Sequence, residues 1–206
     1  MTMHSPLSAV IDGRRMVRIP AGPFLFGSCK SEVTLTEFWI DPYPVTNAEL
    51  ASFVPEHRFV PHRASHPATW VSWVTARQYL KAIGLDLPTQ QQWEKASRGV
   101  DGRLYPWGDE HNPRRFNVLE SDIRETTEVH HYADRGASPY GVMDMAGNVW
   151  EWTLTDSAPE HGAGKLVCGG AYDLSWFEMQ LGLGTYEIRD PKNGYPTVGF
   201  RGVGVL

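Results

Sequence analysis

Apolar and polar residues alternate from Glu32 to Ile40, as on a half-buried strand, and Asp41-Pro42 ends the run. Ahead of it, two β-prone stretches, Met16–Pro20 and Phe24–Gly27, flank Ala21-Gly22-Pro23, which predicts a hairpin. The period then changes. Thr46 with Glu49 three residues on is a capping box opening a short helix, and Thr89 with Gln92 repeats the device. Between them Val74, Ala76, Tyr79, Leu80 and Ile83 form an apolar stripe at helical spacing, so Trp73–Ile83 reads as a helix ended by Gly84. Periodicity then fades from Gly99 to Pro139. Lys165–Tyr172, Thr185–Ile188 and Val198–Val203 read as three later strands. The pattern predicts an α+β fold, loop-rich, with short strands and about two main helices.

Composition agrees with that reading. Twenty glycines, fifteen prolines and eight tryptophans suit short strands and turns better than a bundle. With 206 residues the chain is read as one domain, residues 16–206, behind an N-terminal extension, residues 1–15. A net charge of −5 argues against nucleic acid and anionic membranes as partners. There is no run of 18 apolar residues and no leader pattern, so the expected location is cytoplasmic. Cys29 and Cys168 are too few for a disulfide framework and read as small buried hydrophobes; His57, His62 and His66 read as solvated loop side chains.

The densest chemistry lies in Asp144-Met145-Ala146-Gly147-Asn148-Val149-Trp150-Glu151-Trp152. On an extended segment Trp150 and Trp152 share a face and Glu151 points the other way. Gly147-Asn148 is turn chemistry that tolerates left-handed backbone. Such a turn could bring Asp144, Glu151 and intervening carbonyls to one point, the oxygen-rich grouping a hard cation accepts; equally, the carboxylates could cap turn amides. Spacing leaves both open. Asn117, Glu120 and Asp122 pose the same choice within the aperiodic stretch.

Several segments, in this order, resemble formylglycine-generating enzyme (sulfatase-modifying factor) domains: Met16–Phe24, Pro44-Val45-Thr46-Asn47, Leu87-Pro88-Thr89 through Trp93–Ala96, Tyr105–Glu110, Gly147–Trp152, Gly169-Gly170 and Gly199-Phe200-Arg201. The resemblance runs from about Met16 to Val203. It implies a variant of the C-type lectin fold. It also implies Ca²⁺ held by the Asp144 side chain, the Gly147 and Val149 carbonyls and the Glu151 side chain. A second implied site matches Asn117 and Val118, with Asp122 as its acidic ligand.

The catalytic part of the resemblance fails at one place. The family's enzymes hold copper with two cysteines just past the glycine pair, and the corresponding residues here are Leu174 and Met179. Neither can form a thiolate, so no copper is expected. Two function classes follow. The first is a non-catalytic module, binding a protein or small molecule through Tyr172, Asp173, Ser175, Trp176, Phe177, Glu178, Tyr186 and Arg189; it could be a retroelement-diversified variable protein or a signalling or conflict-system sensor. The second is an enzyme with a replaced site, in which Glu178 with Asp173, or His130 with His131, would supply acid–base groups.

Overall fold

The computed structural model describes residues 8–11, 13–179 and 186–205. The first sheet contains β1 (Ser8–Ile11), β2 (Arg14–Ile19), β5 (Phe38–Ile40) and β10 (Val203–Gly204), in the order β1-β2-β5-β10. β3 (Gly22–Phe26) and β4 (Ser31–Leu35) form a separate hairpin. The second sheet runs β8-β7-β6-β9, from β6 (Trp150–Asp156), β7 (Lys165–Cys168), β8 (Tyr186–Arg189) and β9 (Val198–Gly199). Among the described residues three α-helices complete the fold: α1 (Asn47–Ala51), α2 (Trp73–Ala82) and α3 (Gln90–Arg98).

The helix starts follow the sequence closely. The Thr46 hydroxyl accepts from the Glu49 amide at 3.3 Å while the Glu49 carboxylate accepts from the Thr46 amide at 2.8 Å. Thr89 and Gln92 make the same reciprocal pair at the head of α3. Strand pairing departs from the reading. The expected hairpin of Met16–Pro20 with Phe24–Gly27 does not form: β2 pairs with β1 and β5, and β3 pairs with β4. The single strand read over Glu32–Ile40 is two, broken at Thr36-Glu37 and shared between sheets. The closing strand is likewise two, β9 on one sheet and β10 on the other, and Thr185 lies outside the described residues.

β6 divides the interior. Trp150 and Trp152 pack with Val45, Leu80, Val167 and Phe200 on one side. The other side holds Trp93, Cys168, Ile40 and Val17. A smaller cluster of Phe116, Val118, Ala146 and Met179 lies beneath the loops. Among the described residues no helix is long and apolar enough to cross a membrane.

Two smaller expectations are corrected. Cys29 is exposed at the β3–β4 turn, and only Cys168 is buried. His57 and His66 are half-buried, not solvated, and bond to Asn47 Oδ1 at 2.8 Å and Thr126 Oγ1 at 2.9 Å. Burial pushes both imidazoles below their ordinary value of 6.5. The unfolded chain then takes up protons first, so stability is full above about pH 6.5 and declines as pH falls through that value towards the folded-state pKa. Urea midpoints measured from about pH 7.5 down to about pH 5, the range in which histidine titrates, should fall less steeply in the His57→Gln, His66→Gln double variant.

Candidate functional site

One glycine-dependent turn sets up the site. At Gly147 the backbone has φ 72°, and a Cβ there would collide with the Asn117 carbonyl. Asn148 follows with φ 63° and is fully buried. Its side chain joins three segments: Nδ2 donates to the Thr127 carbonyl at 3.3 Å and to Asp144 Oδ2 at 3.1 Å, while Oδ1 accepts from the Thr127 amide at 2.9 Å and from Asn117 Nδ2 at 3.3 Å. Its own carbonyl accepts from the Tyr172 amide at 3.2 Å. The turn thus carries the loop that begins at Tyr172.

Glu151 points away from Trp150 and Trp152, as the strand period requires, but into protein. Both its carboxylate and its partner Arg201 are fully buried. Arg201 donates through Nε to Oε2 at 2.7 Å and through Nη2 to Oε1 at 2.6 Å, and Trp93 Nε1 adds a bond to Oε2 at 2.8 Å. The remaining Arg201 donors reach the Asp41 and Met143 carbonyls. Arg201 can do this because it lies in the short link between β9 and β10, where the chain passes from one sheet to the other.

Asp144 is different. Its backbone is left-handed, φ 54°, and Asn148 Nδ2 is its one side-chain hydrogen-bond donor among the described residues. Burial pushes its carboxyl up to about 7; the Asn148 bond and the Arg201 charge oppose this, and the Glu151 charge adds to it. A buried carboxylate with so few donors has the chemistry to take a hard cation, as have the carbonyls of the Gly147 turn. Glu151 does not fit a ligand role as it stands, since its charge is balanced by Arg201.

The second expected set is split. Asn117 is buried, its Oδ1 accepting from Ser121 Oγ at 3.0 Å, and the Val118 carbonyl accepts from the Ser121 amide and hydroxyl. Asp122 stands at the surface, 77% exposed, and pairs with Arg124 at 2.7 Å. Asn117 and Val118 belong to the buried hub around Asn148, and Asp122 does not.

Beyond the glycine pair the loop is clamped from below. Leu119 donates its amide to the Leu174 carbonyl at 2.9 Å. The Glu120 carboxylate accepts from Ser175 Oγ at 2.6 Å and from the Trp176 amide at 3.0 Å, and Glu178 accepts from the Ser175 amide at 3.0 Å. The Trp176 ring lies 3.9 Å from that of His111. Phe177 is left 69% exposed at the tip, with Asp173 and Glu178 also exposed and Tyr172 half-buried beside them. Tyr186 and Arg189 sit apart on the edge strand β8; Arg189 pairs with Glu187 and covers the Tyr195 ring.

The two cysteine-equivalent positions are packed with hydrocarbon. Met179 is fully buried against Phe116, Val118 and Ala146, and its sulfur occupies the space a Cβ on Gly170 would need. Leu174 is half-buried against the same cluster. Cys168 is buried with its thiol pushed well up by burial, which makes it inert. The acid–base pairs considered from sequence find no support in contacts: His130 is exposed beside Glu128, and Asp173 is joined to Glu178 by no hydrogen bond.

Arg201, Asn148 and the clamp of Glu120 on the loop were not identified as such from sequence. A signal for Arg201 existed, since an arginine between Phe200 and Gly202-Val203 in a buried strand needs an acid partner.

Comparison with known proteins agrees with this geometry. YfmG of Bacillus subtilis is 29% identical over 68% of this chain, which spans only 42% of that protein. "Inactive C-alpha-formylglycine-generating enzyme 2" of Mus musculus is 26% identical over 90% of this chain and 84% of its own length. Treponema denticola variable protein 1 superposes with a TM-score of 0.75 over 97% of this chain and 99% of its own, at 16% identity, and so shares the C-type lectin-like fold. Residues 5–205 match the Sulfatase-modifying factor enzyme 1-like domain, and the chain belongs to that family.

Proposed function

We propose that this domain is a non-catalytic module that binds a protein through the loop Tyr172–Glu178. The observation that carries the reading is a pairing within that loop: Leu174 and Met179 are packed as apolar anchors at the positions where thiolates would be needed, while Phe177 between them is held exposed. An exposed ring on a clamped loop loses little entropy on binding, which favours affinity. The likeness to a relative named inactive and to a variable protein of the same fold supports the reading.

The test compares wild type with Phe177→Ala as bait for partners in an extract of the source cells. A partner held by wild type should be lost from the variant, whose stability should stay within about 0.5 kcal/mol because the ring is exposed. Equal retention by both proteins would contradict the assignment.

Ca²⁺ on Asp144 and the Gly147 and Val149 carbonyls is part of the proposal, its role being to neutralise a buried carboxylate. Chelation should lower the melting temperature of wild type, through loss of a ligand bound only by the native state. Asp144→Asn should not respond. An identical melt with and without chelator in wild type would remove the ion from the account.

A further inference from the structure

The loop after the glycine pair ends in a short 3₁₀ turn, Trp176–Met179. With three residues per turn, successive side chains leave such a turn about 120° apart, and the first and fourth lie on one side. Trp176 and Met179 are those two. Both pack on the cluster around Phe116 and Val118, and the Trp176 ring also lies against that of His111. Phe177 and Glu178 take the two remaining directions, and both are exposed. The Phe177 ring stands edge-on to Trp176, 6.0 Å between centroids. Inward packing of one pair therefore fixes the outward display of the other.

The charge on this tip is uncompensated. Asp173 and Glu178 flank Phe177 in the loop, are exposed, and form no ion pair among the described residues. Glu178 accepts the Ser175 amide at 3.0 Å, which leaves its charge unmatched. On the adjoining segment the charges are already committed. Arg124 pairs with Asp122, Arg63 pairs with Glu125 beside Tyr172, and Glu120 is held by Ser175 Oγ and the Trp176 amide. The two arginines are matched by acids one for one, and the two loop carboxylates are left over.

Taking Phe177 as the contact residue proposed above, we infer that the partner is a folded protein whose surface offers an apolar pocket rimmed by lysine or arginine. A ring that stands out of the surface needs a concavity to bury it, and an extended peptide has none. Docking also takes water from the carboxylates beside the ring. Cations on the rim offset that cost, whereas an uncharged or acidic rim leaves the carboxylates desolvated and unpaired.

Per-6-amino-β-cyclodextrin carries this chemistry in miniature, an apolar cavity that admits a phenyl ring and a rim of ammonium groups. Unmodified β-cyclodextrin has the cavity without the charge. Each is titrated at low salt into protein bearing ¹³C-labelled phenylalanine and followed by NMR. The Phe177 ring signal, assigned by its loss in Phe177→Ala, should move saturably. The amine should bind on the order of tenfold more tightly than the neutral host, the sum of a few surface charge contacts. Asp173→Asn with Glu178→Gln should abolish that preference and keep the wild-type melting temperature, since glutamine retains an acceptor for the Ser175 amide. Equal binding of the two hosts to wild type, a preference that survives in the charge variant, or a Phe177 signal that neither host moves would each overturn the inference. In the extract experiment, a partner lost by Phe177→Ala should also be lost, or held several-fold more weakly, by the charge variant. Loss from Phe177→Ala with full retention by the charge variant would leave the binding loop standing and overturn the basic character of its partner.

Discussion

Arg201→Ala should lose about 3–5 kcal/mol of stability, because it strips the counter-charge from a carboxylate with no access to water. Glu151 is fully buried and takes both its oxygens' charge-assisted bonds from Arg201, with Trp93 Nε1 supplying the third donor. Removing the guanidinium leaves one weak indole bond to hold an anion inside an apolar cluster, and it also frees the Asp41 and Met143 carbonyls. Urea unfolding gives the measurement. The paired replacement Glu151→Leu with Arg201→Met should recover much of the loss, since breaking a buried ion pair costs far more than exchanging it for hydrocarbon of similar volume. A loss below about 1 kcal/mol in the single variant, the range of surface pairs, would mean that the pair is not closed off from solvent.

Asn148→Ala should be nearly as damaging. The substitution abandons four side-chain hydrogen bonds that tie Asp144, Asn117 and Thr127 together. Each buried group left unpaired costs about 1–3 kcal/mol, though the groups can re-pair in part. Alanine must also hold φ 63°, at a further ~1–2 kcal/mol. A combined loss of roughly 3–5 kcal/mol is a large share of the 5–15 kcal/mol that typically stabilises a domain. Asn148→Gly loses the same bonds without the backbone strain, so it should be the more stable of the two by about 1 kcal/mol. Hydrogen exchange should show the Tyr172 amide, which donates to the Asn148 carbonyl, opening faster in both variants. Equal stability of the Ala and Gly variants would show that the left-handed backbone costs nothing here.

The parts of the fold that could be read from sequence were those decided within a few residues. Thr46 with Glu49 and Thr89 with Gln92 cap their helices through contacts three positions apart; of the stripe read from Val74 to Ile83, Ala76, Tyr79 and Leu80 form the buried side of α2, while Val74 and the capping Ile83 are exposed. Strand partners are decided across the whole chain. Gly22-Pro23 carries a hairpin signal, yet Ile19 pairs with Phe38 and Gly22 with Leu35, because each strand finds more burial in its own sheet than a local turn could give. The site divides in the same way. Turn chemistry at Gly147-Asn148 follows from residue type, whereas the exposure of Phe177 does not, since a phenylalanine by type is as ready to fill a core. Glu151 could be given a cation from spacing, but its actual counter-ion lies fifty positions on, delivered by the crossing between β9 and β10.

On the proposed reading, the loop beyond Gly169-Gly170 binds and does not oxidise. Purified protein loaded anaerobically with Cu⁺, desalted, then given oxygen and a cysteine-bearing sulfatase-type peptide puts this to the test. With Leu174 and Met179 packed as hydrocarbon, copper should be lost on desalting and no peptide aldehyde should form above the protein-free control. One equivalent of retained copper together with aldehyde formation in the peptide would contradict the account.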